Sequence, residues 1–160
     1  MNANLKPQLL AKDQGKPLWF LGSLTFVKAT GDTTAGAFGL IGQLMPVGFA
    51  TPYQVHHNED EAFYVLEGEL QFNVDGSKLT VGPGGYLFGP REVPHGFRVV
   101  GTAPARSLVL NAPAGFEQFV LEMGDPATEL VIPAPAPPNM GKLIALAAKR
   151  RIDILGPLPE

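Results

Sequence analysis

The sequence predicts an all-β fold, an antiparallel barrel or sandwich closed by short C-terminal helices. Three observations carry this. Nineteen glycines and sixteen prolines in 160 residues supply turns at short intervals. Apolar and polar residues alternate through the first 112 positions in about eight short runs. After Pro113 the apolar spacing lengthens from two to three and four residues, as in a helix.

Taken in order, residues 1–16 are polar and irregular and read as an arm on the surface or on a partner subunit. Residues 17–45 read as two strands around a turn at Thr30-Gly31-Asp32, with aromatic and β-branched residues filling the runs. Residues 46–60 read as a loop leading into a strand, and 62–66 (AFYVL) as a strand. In ELQFNVDGSKLTV, Leu70, Phe72 and Val74 alternate with polar residues, Asp75-Gly76 suits a two-residue turn, and Leu79 and Val81 alternate on the return. YLF at 86–88, GFRVV and RSLVLNA give three more strands. Phe116, Phe119, Val120 and Met123 recur at i, i+3, i+4 and i+7, an amphipathic helix ending at Gly124. A proline-rich crossing follows, then a second helix, GKLIALAAKRR, with Leu143, Leu146 and Ala147 on one face. The organisation expected is an arm (1–16), a barrel (17–112) and a helical extension packed on it (113–160).

Composition narrows the function. With no cysteine there is no disulfide, thiolate site or cysteine nucleophile, which suits a reducing compartment. A net charge of −3 gives no support for a nucleic-acid partner. No apolar run reaches the roughly 18 residues that span a bilayer, and the N-terminus lacks the layout of a signal peptide. A cytoplasmic protein without membrane contact is expected.

The three histidines are His56, His57 and His95. Strand alternation puts Gln54 and His56 on one face and turns His57 away. It also groups Glu61 with Phe63 and Val65, and His95 with Phe97 and Val99. If these strands are neighbours, His56, Glu61 and His95 converge as two imidazoles and a carboxylate, a set that holds a divalent metal with positions open. Gln54 then offers a weaker amide ligand or a hydrogen bond beside the metal. The alternative is that HHNEDE is a solvated loop. Glu59, Asp60, Arg91 and Glu92 read as surface charges. Phe63, Val65, Phe72, Phe88 and Phe97 are candidates to line an apolar cavity for a small aromatic molecule.

Both histidine segments resemble the motifs of the cupin superfamily. Gly48, Gln54, His56, Glu61 and Gly68 fit G-x5-H-x-H-x(3,4)-E-x6-G at every spacing, with Gln54 in place of the first histidine. Gly84, Pro90 and His95 fit G-x5-P-x-G-x2-H-x3-N, with Glu92 and Val99 where the family has glycine and asparagine. The match covers residues 17–112. The tail, with PAGFE, a proline-rich crossing and a final LGP, is similar to a bacterial quercetin 2,3-dioxygenase-like branch. The resemblance implies a double-stranded β-helix, or jelly-roll barrel, with His56, Glu61 and His95 as ligands and the fourth ligand position falling on Gln54. It implies one divalent transition metal per chain (iron, manganese, nickel, cobalt, copper or zinc) and a homodimer. The expected activity is dioxygenation of a small aromatic, flavonoid-like compound, with Glu61 also serving as base. The alternatives are a non-enzymatic small-molecule-binding cupin, with weak or no metal, and a cupin isomerase or lyase.

Overall fold

In a computed structural model, which describes residues 5–160, two antiparallel sheets face each other. The first hairpin pairs Lys16–Phe20 (β1) with Ser23–Ala29 (β2), Leu18 opposite Thr25. Its turn is Leu21-Gly22, at φ of 49° and 90°, the left-handed pair that a two-residue hairpin requires. The expected long strand before Thr30 is therefore two strands. Thr30-Gly31-Asp32 leads into a short helix, Gly31–Thr34 (α1), and Gly39–Met45 (β3) follows.

The strands continue as Tyr53–His56 (β4), Asp60–Glu67 (β5), Glu69–Val74 (β6), Ser77–Val81 (β7), Tyr86–Gly89 (β8), His95–Val100 (β9) and Ala105–Ala112 (β10). Asp75-Gly76 makes the β6–β7 turn, both residues at positive φ, and Val74 pairs with Ser77. Phe116–Met123 forms α2, Asp125–Pro126 is the two-residue β11, Met140–Lys149 forms α3 and Ile152–Gly156 forms β12. The larger sheet runs β11-β1-β2-β3-β10-β5-β8 and the smaller β12-β4-β9-β6-β7. This is an all-β jelly roll.

The extension is not helical alone. β11 pairs with β1, and β12 joins the smaller sheet with Ile152 opposite His56. The cause is the alternation in Ile152-Asp153-Ile154, where Ile152 is buried and Asp153 exposed, a strand pattern at the very end of the chain. Residues 11–14 of the arm lie on the outer face of the larger sheet. Lys28 holds it by donating from Nζ to the carbonyls of Ala11, Lys12 and Gln14 at 2.9–3.1 Å.

Between the sheets, Phe63, Phe72 and Phe97 meet with ring centroids 5.0–5.7 Å apart. α2 closes one side of the barrel, burying Phe116, Phe119, Val120 and Met123. α3 buries Leu143 and Ala147 and is capped by Asn139, whose side chain accepts from the Lys142 amide at 3.0 Å. Glu122 of α2 accepts from Lys149 at 2.9 Å and from Arg150.

The hydrogen bonds from Lys149 and Arg150 lower the Glu122 pKa below its ordinary 4.5. A depressed carboxylate pKa contributes stability above the ordinary value, and that contribution fades as pH falls through the folded-state value. Amide exchange in α3 is therefore expected to quicken as pH drops below 4.5 relative to that in β10, and Glu122→Gln removes this acid response. An identical response in both proteins would show that the pair does not hold the helix.

Candidate metal centre

Three strands deliver the site. β4 ends on His56, β5 carries Glu61 in its first turn of the ladder, and β9 begins at His95. Gln54 lies opposite His95, and Asn111 of β10 opposite Glu61. His56, Glu61 and His95 are buried, at 0, 2 and 1% exposure. One ligand atom from each lies within 4.8 Å of the others.

Both imidazoles turn Nε2 toward one carboxylate oxygen. Glu61 Oε2 is 2.5 Å from His95 Nε2 and 3.3 Å from His56 Nε2. The far nitrogens are fixed from behind. His56 Nδ1 donates to Glu59 Oε1 at 2.8 Å, and His95 Nδ1 donates to the Val93 carbonyl at 3.0 Å. Asn111 Nδ2 donates to Glu61 Oε1 at 2.9 Å. Such partners set the tautomer that points Nε2 at a metal.

Charge explains how these groups sit together. Burial pushes the Glu61 carboxyl up, but the nearby His56 and His95 imidazoles and the His95 and Asn111 hydrogen bonds outweigh it and hold it at about 2. Burial pushes His95 down, and the bond and charge of Glu61 more than reverse this. A proton on His95 Nε2 thus holds the carboxylate close. His56 Nε2 is buried, faces the same oxygen and has no hydrogen-bond partner. An orphaned imidazole nitrogen, a protonated one and a carboxylate oxygen aimed at one point fit a divalent cation, which would displace the proton. A carboxylate with a pKa near 2 suits holding a cation better than accepting a substrate proton.

Gln54 is partly buried on the wall of the adjoining cavity, with Glu61 and His95. His57 faces outward, clamped between Glu92 (2.7 Å) and Asp153 (2.8 Å). Asp60 also faces outward and binds Arg91 through both carboxylate oxygens at 3.0–3.1 Å. Glu59 is not a surface charge: it is 3% exposed and braces His56. It lies in the bend between β4 and β5, where strand alternation does not govern side-chain direction. Glu59→Gln is expected to weaken metal affinity about 10–100-fold with little change in stability. Titration with Zn checks this, and unchanged affinity would remove Glu59 from the site.

Of the five candidate cavity residues, Phe63 and Phe97 line the cavity. Phe72 and Val65 are wholly buried core. Phe88 is half exposed, because Leu87 pairs with Phe63 and takes the inward position. Gln43, not anticipated from sequence, lines the cavity wall, as do Phe116 and Phe119 from α2.

Residues 42–111 match the Cupin domain family. This part of the chain is a cupin domain. The chain is similar to quercetin 2,3-dioxygenase of Bacillus subtilis (strain 168), at 28% identity over 127 residues, 79% of this chain and 37% of that protein. It is also similar to an uncharacterized protein of Methanocaldococcus jannaschii, at 30% over 70 residues, 44% of this chain and 56% of that protein. It thus spans less than two thirds of either relative. A predicted oxalate decarboxylase from Thermotoga maritima superposes with a TM-score of 0.61 at 16% identity, covering 66% of this chain and 99% of that one, a likeness of fold alone. No helix among the described residues is long and apolar enough to cross a membrane.

Proposed function

We propose that this cupin is a metal-dependent oxidoreductase of the dioxygenase kind, acting on a small, mostly apolar aromatic compound. The supporting observation is the convergence of His56 Nε2 and His95 Nε2 on Glu61 Oε2 at the wall of an aromatic-lined cavity. His56, Glu61 and His95 would hold one divalent transition metal per chain. Such an ion supplies Lewis acidity and, if redox-active, electron transfer to dioxygen.

The chain's own residues have distinct tasks. Glu61 brings the negative charge and Asn111 fixes its rotamer. Glu59 and the Val93 carbonyl orient the two imidazoles. Gln54 offers an amide that can donate to a substrate oxygen near the metal ligands. Phe63 and Phe97 pack on an aromatic ring and keep water from it. Oxygen uptake by the iron-, manganese- or nickel-loaded protein over a panel of flavonols and simpler phenols tests this. Uptake lost in His95→Gln supports it. A loaded protein that binds phenols and consumes no oxygen would favour the binding-protein reading, to which Gln54, Glu92 and Val99 point as departures from the motifs.

We also infer a homodimer in the cytoplasm. Tyr64, Leu66, Tyr86 and Phe88 stand exposed together on the outer side of β5 and β8, at one edge of the larger sheet. Sedimentation at micromolar concentration checks this, and a monomer would contradict it.

A further inference from the structure

The chamber beside the ligand triad is small, about 50 Å³. That is far below the roughly 300–1,000 Å³ of sites that enclose drug-sized ligands. Outside it lies a groove of about 440 Å³. The two adjoin, since Leu21, Ala50, Thr51, Pro52 and Leu143 line both.

Ionisable and amide side chains sit only at the inner end. The inner chamber carries Gln43, Gln54, Glu61 and His95. The outer groove is walled by Pro138, Met140, Ile154, Leu158 and the shared residues, with no charged side chain among the described residues. Two leucines stand where the chambers join. Leu21 is fixed by the left-handed β1–β2 turn, and Leu143, 2% exposed, hangs from α3. α3 rests on α2 through that face and is reached by an exposed stretch at 134–138.

We propose that Leu143 and Leu21 form the constriction that selects the ligand, and that the ligand is an uncharged amphiphile with a phenol-like head in the inner chamber and an apolar extension of several carbons in the outer groove. This rests on the metal-dependent reading of the site and adds the ligand's shape to it. A ligand carrying a charge on its extension is rejected, because the groove provides no partner for it. Leu143 acts by shape alone, since its side chain is apolar.

The test is calorimetric titration of the Zn-loaded protein with 4-alkylphenols, from phenol to 4-hexylphenol. Affinity is expected to rise with each methylene, by up to about fourfold, as the tail fills the groove. Met140 is half exposed, so Met140→Lys leaves the fold intact. It should flatten the rise for the longer members and leave phenol unchanged. Leu143→Ala should admit the branched 4-tert-octylphenol at least about tenfold better than the parent, because several heavy atoms leave the constriction. Affinity independent of chain length, or Met140→Lys weakening phenol and hexylphenol equally, overturns the proposal while the metal-dependent reading stands. Phenol failing to bind a protein that retains its Zn overturns that reading, and the proposal with it.

Discussion

His95→Gln is expected to leave the protein folded and unable to hold a divalent ion. Glutamine can still donate to Glu61, so the buried carboxylate keeps a partner, yet the imidazole that completes the ligand set is gone. With one of three ligands removed, affinity should fall by more than the roughly 10–100-fold expected for an outer partner such as Glu59. His56→Ala should lose metal equally, for Nε2 of His56 is buried beside Glu61 Oε2 with no hydrogen-bond partner. His57→Ala is the control: its ring faces outward between Glu92 and Asp153, and metal content should not change. Metal analysis after gel filtration reads all three. Retention of metal by His95→Gln, or its loss in His57→Ala, would relocate the site.

Phe72→Ala is expected to cost about 3–5 kcal/mol of stability, while Phe88→Ala stays within about 0.5 kcal/mol. Phe72 is fully buried between Phe63 and Phe97, so truncation leaves a cavity that neighbouring strands cannot close. Phe88 is half exposed on an edge strand. Urea unfolding separates the two. Equal losses would mean that β8 packs in the opposite phase, with Phe88 inward.

That phase is where the sequence is least informative. In YLFG, four residues offer Tyr86 and Phe88 or Leu87 as the buried set, and both choices satisfy alternation. Longer strands leave no such freedom. β5 and β9 place Glu61 with Phe63 and His95 with Phe97, and alternation read from the sequence puts them on the cavity side. Asp75-Gly76 marks its turn by residue type, whereas Leu21-Gly22 takes the same kind of turn with a leucine in the left-handed region, a poor signal. β12 is short and terminal, and its Ile-Asp-Ile alternation is visible only once β4 offers it an edge. Asn111 sits on the inward phase of Ser107, Val109 and Asn111, a polar residue among buried positions, and that was its one sequence signal. Glu59 gave none, because its direction is set by the bend and by His56 Nδ1.

The proposed function requires that His56, Glu61 and His95 hold a divalent metal despite Gln54 at the first-histidine position. Metal content decides it most directly, measured on protein purified without added metal, then after chelation and exposure to iron, manganese, nickel and zinc in turn. About one ion per chain is expected, as one set of three ligands implies, restored after chelation. A protein that remains metal-free through all four exposures would contradict it.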